Sequence, residues 1–549
     1  MRGSIVSDVV GAVSGNGDQA VAPIAGTHNG LAEQATDTGF GSIDKRCAPD
    51  RADVRQHLSV ASLQALLQLR GVALLAAGRV SIVLAAIVSV RLMTTVLSPT
   101  DVGRYLILTT FSMWFSLTLV SPVGNYINRC FIGWVGRGQV WSKLLRYLNL
   151  LLLVCAAATG ASFVAYRTGV LGISIGVGGL ILVVVGLLAF LTINTTLVGL
   201  LNLLGHRNLY VLYTSATAWF AVAFSVAFTL GIQRSAELWI AGQVVAWALV
   251  GVMGYLSLRR RIAGATPATP SESSGGAGLW AFAWPLVIST SLYWFQVQGY
   301  RIELEHWISV SAVGLLTTGI LLGANPVATI DTLLGEYLRP QYYRDVACED
   351  REMQEAAWAR LASSFLTSLI PIAVLTGSAG SFLAVLLVAP AFQSVAALIS
   401  WGVLIELLRA VNSLYVLAAH TRFKTRTTLA PALVGAALVL VSIVPLTRWN
   451  LYIGSGLALS IAMLGSTVYL ALSLRNTFTA RLPYRSIVKA ICCSAPIALG
   501  LIGAQATIQH PSPLQAVAVL IVASLATLVA LIVLGQMPRP AVAQAPGLR

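Results

Sequence analysis

Charge is what this chain has least of. Only 10% of its 549 residues are Asp, Glu, Lys or Arg, and its mean hydropathy is +0.80. A water-soluble globular chain carries roughly 25% charged residues, so that class is excluded. Cysteine is scarce too: Cys47, Cys130, Cys155, Cys348, Cys492 and Cys493 show no metal-ligand spacing, and they read as reduced thiols or apolar fillers. Walker-type phosphate loops, His-Glu-x-x-His and Asp-x-Asp are all missing. Their absence counts against ATP-driven transport by this chain alone and against nucleotide-sugar transfer. No cofactor or metal is implied, and no residue is assigned a catalytic role. The short run Ile5–Val13 is broken by Asp8 and Gly11, which makes it a poor signal peptide.

What the chain has instead is apolar runs near 20 residues, the length that crosses a hydrocarbon core about 30 Å thick. The first is Gly71 to Leu97. Others follow at about 105–128, 144–166, 171–204, 209–231 and 237–258, then at 281–307, 311–337, 358–388, 395–419, 428–446 and 453–475, and finally at 487–507 and 514–535. The expected fold is therefore an all-α integral membrane protein with about 14 transmembrane helices. Two pseudo-symmetric six-helix lobes would surround a central cavity, and two C-terminal helices would be added. The runs at 171–204 and 358–388 are long enough to hide a break or a strong tilt.

Segment boundaries follow from composition. Residues 1–68 form a tail rich in Gly, Ala, Ser and Asp, expected to be disordered with an optional interfacial helix at its end. The N-lobe is 69–258 and a basic, then Pro- and Ser-rich linker covers 259–280. The C-lobe is 281–475, the two extra helices lie in 476–535, and a tail covers 536–549. On this topology most of the 35 Lys and Arg fall on one side. The positive-inside rule then places both termini in the cytoplasm of a multi-pass inner-membrane protein and accounts for the formal charge of +15 without a nucleic acid. The loops on the other side are short, centred on Asp101, Arg167, Arg234, Ser309, Pro390, Arg448 and His510, and leave no room for a separate catalytic domain.

An internal echo supports two related lobes. Leu97-Ser98-Pro99-Thr100-Asp101-Val102-Gly103 aligns with Ile308-Ser309-Val310-Ser311-Ala312-Val313-Gly314 at an offset of 211, and Gly124 falls on Gly335 without a gap. Six helices precede the linker and six follow it, so the two halves enter the membrane in the same orientation, a parallel repeat.

Candidate functional residues are the polar groups inside these runs. Arg79 and Arg91 lie on the first helix, about 18 Å apart along its axis at 1.5 Å per residue. A central arginine costs on the order of 3 kcal/mol. Either both snorkel to opposite interfaces, or the helix lines a wet, cationic cavity. The second and eighth helices carry polar stripes: Thr118, Ser121, Asn125 and Asn128 on one, and Thr318, Asn325, Thr329, Thr332 and Glu336 on the other. Such stripes serve as interhelical glue or as the walls of a shared cavity. Arg301, Glu303 and Glu305 sit toward the end of the seventh helix, or in a loop if that helix stops near Tyr300; on a helix, Arg301 and Glu305 are spaced to pair. Glu406 and Arg409 are also spaced to pair, while Asp331 falls off the eighth helix's stripe as a structural acid or a proton or cation site.

Three stretches resemble the polysaccharide transporter branch of the multidrug/oligosaccharidyl-lipid/polysaccharide exporter superfamily. They are Arg91-Leu92-Met93-Thr94-Thr95-Val96-Leu97-Ser98-Pro99-Thr100-Asp101-Val102-Gly103, Phe282-Ala283-Trp284-Pro285-Leu286, and Tyr300-Arg301 followed by Ala312-Val313-Gly314-Leu315. Tyr300 departs from the family's frequent Asp, and the Glu303–Glu305 acids are unusual for it. The resemblance implies a flippase that carries polyprenyl-diphosphate-linked glycan across the inner membrane by alternating access, in exopolysaccharide, capsule or O-antigen synthesis. Within that frame Arg79, Arg91 and Arg301 are assigned to the head group, because guanidinium matches phosphate geometry. Glu336, with Asn125 and Asn325, is assigned to sugar contact or to ion coupling, and Asp331, Glu303, Glu406 and Arg409 are further candidates for ion coupling. A polysaccharide polymerase and a chain-length regulator are the expected partners of a monomeric carrier. The competing readings are a cation-coupled multidrug antiporter, a membrane polymerase or ligase, and a structural membrane protein.

Overall fold

Four helix starts in this chain carry a side chain that caps them. In the computed structural model, Ser98 accepts a hydrogen bond from the Asp101 amide, with Pro99 in the first turn. Ser309, 211 residues later, accepts from the Ala312 amide. The two aligned segments thus begin their helices by the same device. Asn450 and Ser512 do likewise, the latter in a full capping box with Gln515. The structure describes residue 74, residues 77–167, 186–263, 287–288, 290–346, 351–421, 425–475, 478, 481–508 and 510–535. The N-terminal tail, most of the linker, the Phe282–Leu286 motif and the C-terminal tail lie outside the described residues.

The helices are α1 (Ala77–Val96), α2 (Pro99–Phe115), α3 (Ser121–Gly136), α4 (Val140–Arg167), α5 (Thr192–Leu203), α6 (Arg207–Gly231) and α7 (Ala236–Ala263), followed by α8 (Tyr300–Trp307), α9 (Val310–Asp345), α10 (Arg351–Ser378), α11 (Gly380–Leu387), α12 (Ala396–Thr421), α13 (Leu429–Trp449), α14 (Leu451–Leu474), α15 (Tyr484–Thr507) and α16 (Pro513–Val533). No strand occurs among the described residues, and 11 of their helices are long and apolar enough to cross a membrane. The remaining expected spans, 144–166, 171–204 and 281–307, coincide with α4, with α5 and the wide turn before it, and with the segment leading into α8; the last two extend into undescribed residues.

Three spans contain a wide π turn: Ser116–Val120 joins α2 to α3, Gly186–Leu191 precedes α5, and Phe295–Gly299 leads into α8. π turns insert one residue into the hydrogen-bond ladder and concentrate at functional sites. The long run at 358–388 does break, at Ala379 between α10 and α11. Its freed carbonyls are satisfied by neighbours: Ser400 donates to Gly377 O at 2.8 Å and Gln505 to Ser378 O at 2.6 Å. The last two helices therefore dock on the C-terminal half, where Phe382 packs with Leu501, Ala516 and Ala523.

The apolar core has a one-sided plan. At the end carrying Ser98 and Ser309, outer in the charge-based topology, one cluster straddles both halves: Met93, Tyr105, Trp239, Val313, Leu316 and Phe392 belong to it. Toward the other end the core divides. Phe131, Trp134 and Leu200 centre a cluster within the N-terminal half, whereas Trp358, Phe365 and Leu414 centre a separate one within the C-terminal half.

Candidate functional site at the seam between the halves

Helices α2 and α9 approach closely across the seam, and glycine permits it. A Cβ added to Gly103 would lie 2.0 Å from Val310 O, and one added to Gly314 would lie 2.2 Å from Pro99 O. Gly103 and Gly314 are partners at the offset of 211, as are Pro99 and Val310. Each half therefore presents the same small surface to the other, which is the signature of a two-fold contact. A repeat suggested by six identities in 33 aligned positions is here a spatial relation.

Around that contact, polar groups stitch the seam. Arg91 on α1 donates to the carbonyls of Val388 and, at 3.3 Å, Val385, at the C-terminal end of α11. The Ala389 amide donates to Thr94 Oγ1 at 3.2 Å. Deeper, Arg301 on α8 donates to Thr110 Oγ1 on α2 at 2.8 Å, and Trp294 Nε1 donates to Thr110 O at 3.1 Å. Trp114 Nε1 reaches Ser291 Oγ at 3.0 Å. Trp114, Phe115, Trp294 and Phe295 form an edge-to-face aromatic group beside two of the π turns. The Arg91 and Thr94 bonds lie at the end carrying Ser98, and the Thr110 and Trp114 bonds follow progressively deeper along α2.

Arg301 is only 3% exposed, sits over the Tyr300 ring at 5.8 Å, and leaves its Nε without a partner. Among the described residues neither Arg301 nor Arg91 forms an ion pair. The spacing of Arg301 and Glu305 suggests a pair, but the structure corrects this: the guanidinium turns across the seam to Thr110, and Glu305 Oε1 is left without a partner. The helix does not stop near Tyr300; α8 runs on to Trp307, so these charges are helical, with Glu305 9% exposed and Glu303 Oε2 also unpartnered.

The predicted residues separate by depth. Arg79 lies at the opposite end of α1 from Arg91, half-buried, so the three arginines do not share one spot. Thr318, Thr329 and Thr332 donate to the carbonyls four residues earlier on their own helix, which binds no neighbour. Asn325 is half-buried on the same helix. The side chains of Asn125 and Glu336 lie outside the described residues. Farther from the seam, Arg409 on α12 bonds two acids: Glu406 Oε1 at 2.9 Å through Nε, and Asp331 Oδ2 at 2.7 Å through Nη2. Asp331 is 4% exposed and its Oδ1 has no partner. Sequence reading found the Glu406–Arg409 pair but missed Asp331 as its third member. It also missed Thr110, Trp114, Trp294 and Ser291. The one available signal was that Thr110 and Trp114 stand four residues apart on the repeat's own helix.

Among the described residues, then, two arginines without acid partners reach across a two-fold seam, and the core is continuous at one end and in separate clusters toward the other. Among solved structures the chain is similar to the lipid II flippase MurJ in an inward closed conformation, with a TM-score of 0.62 and 12% identity, covering 86% of this chain and 100% of that one. This chain has the MurJ fold. It is also similar to an inward-facing multidrug resistance MATE family transporter of the MOP superfamily, with a TM-score of 0.50 and 14% identity, covering 72% of this chain and 96% of that one. No family model matches the chain, and no curated protein matches it in sequence.

Proposed function

We propose that the chain is a flippase for lipid-linked glycan, moving a polyprenyl-diphosphate head group across the membrane as the two halves rock about the Gly103–Gly314 contact. The observation that carries this reading is the seam itself: among the described residues one apolar cluster joins both halves at the end carrying Ser98, and Arg91 and Arg301 reach across to neutral acceptors with no carboxylate on either. An unpaired cation in a membrane protein's interior is expensive, and phosphate oxygens compensate it better than a hydroxyl does. Arg79, at the inner end of α1, is placed to meet the head group first. Asn125, Asn325 and Glu336 would contact sugar or serve ion coupling, and the half-buried Trp114 would offer a ring face to sugar. The Asp331–Arg409–Glu406 cluster holds two acids against one base, so a proton or a monovalent cation balances it; together with Glu303 it is the candidate coupling site. On this reading the protein sits in a bacterial inner membrane and receives its substrate from glycosyltransferases, with a polymerase and a chain-length regulator downstream. The chain's own role is carriage, not catalysis.

The test is deletion and complementation in a polymer-producing host. Wild-type protein restores export, and Arg301→Ala, present in the membrane at normal level, does not. Normal polymer from Arg301→Ala would remove the assignment. The acid-rich cluster favours a second reading, a cation-coupled antiporter, in which loss of the gene raises sensitivity to cationic dyes while polymer is unchanged.

A further inference from the structure

The Arg91 contact is more than a ligand residue at rest. Helix α11 has only eight residues, and its backbone turns extended at Val388. Its last carbonyls therefore lack helical partners and carry the negative end of the helix dipole. Pro390, beginning the next short turn, cannot donate an amide to them. The donor that satisfies Val385 and Val388 comes from the other half of the molecule, and it is Arg91. One turn farther along α1, Thr94 accepts the amide of Ala389, so both polar groups of the same connection are held across the seam. The neighbouring Gly103–Gly314 contact is close packing, with no hydrogen bond to lose on parting.

We propose that Arg91 and Thr94 form a latch on the free end of α11, and that a diphosphate entering the seam releases it by taking the guanidinium from the carbonyls. The competition follows from charge. A carbonyl is a neutral acceptor, whereas an anionic oxygen forms bonds roughly twice as strong. Once Arg91 turns to the anion, α11 keeps a single polar tie to α1 and the outer end can open. Substrate binding and outer opening are thereby the same event at one side chain. This rests on the alternating-access reading above, and it adds the trigger.

Ala389→Cys is the reporter: the residue is 7% exposed, and the substitution keeps its amide. The full chain is placed in lipid nanodiscs and treated with a maleimide, and labelling of residue 389 is read by peptide mass spectrometry, so that the native cysteines do not interfere. Labelling should be slow in the parent and about tenfold faster with Arg91→Ala, the scale of one charge-assisted hydrogen bond. Thr94→Val, which keeps the shape and loses the acceptor, should give a smaller acceleration and guards against misfolding of the arginine variant. Farnesyl diphosphate should accelerate labelling of the parent about tenfold and leave Arg91→Ala unchanged. Inorganic pyrophosphate reproducing the effect assigns the trigger to the diphosphate alone; its failure to do so assigns it to a lipid-borne diphosphate. Equal labelling of parent, Arg91→Ala and Thr94→Val would overturn the latch, as would an undiminished farnesyl diphosphate effect in Arg91→Ala. If labelling responds as expected while no glycan crosses a membrane, the latch stands and the substrate assignment falls.

Discussion

At the scale of single residues, the molecule spends its few charges on two different problems. Arg409 neutralises acids inside one half, whereas Arg91 and Arg301 tie one half to the other through neutral acceptors. The first kind is sensitive to truncation. Arg409→Ala leaves Asp331 and Glu406 buried without a counter-charge and should cost about 3–5 kcal/mol. Combining Arg409→Met with Asp331→Asn and Glu406→Gln should recover most of that loss, as thermal unfolding in detergent would read. The glycines are sensitive in the opposite sense. Gly314→Ala places a methyl against Pro99 O, costs about 1–3 kcal/mol by overpacking, and should lower the yield of a disulfide between Thr94→Cys and Ala389→Cys. An unchanged yield would show that the α2–α9 crossing does not hold the outer end shut. Residue roles were only partly legible in the sequence. Arg91 and Arg301 stand out as charges in apolar runs, but their partners are carbonyls and a threonine 191 to 297 positions away. Neutral acceptors leave no mark in a pattern of charge. Asp331 fell outside the stripe drawn on its own helix because it faces α12, a direction that one helical wheel does not identify.

At the scale of elements, hydropathy located the spans well, since each must be long and apolar to lie in lipid. The break at Ala379 was foreshadowed by a run too long for one crossing. The π turns were not foreshadowed, because one inserted residue changes neither composition nor period over so short a stretch. The break depends on a neighbour for its carbonyls. Gln505→Ala should free Ser378 O, cost about 1 kcal/mol, and make the connection between α15 and α16 more open to limited proteolysis. An unchanged digestion pattern would mean that α15 is held by Phe382 and its apolar contacts alone.

For the whole molecule, two halves that share an offset of 211 meet at matching atoms, and among the described residues the core they form is joined at one end and divided toward the other. A structural protein has no need of such asymmetry. In the proposed carrier it has a use, because one seam closes while the other opens. The central claim is that this seam passes a lipid-borne diphosphate. The most direct measurement is the transbilayer movement of a fluorescent polyprenyl-diphosphate glycan in liposomes containing the purified chain. The account predicts rapid loss of outer-leaflet substrate with wild-type protein, and a rate near that of empty liposomes with Arg301→Ala. Equal rates for wild type, Arg301→Ala and empty liposomes would contradict it.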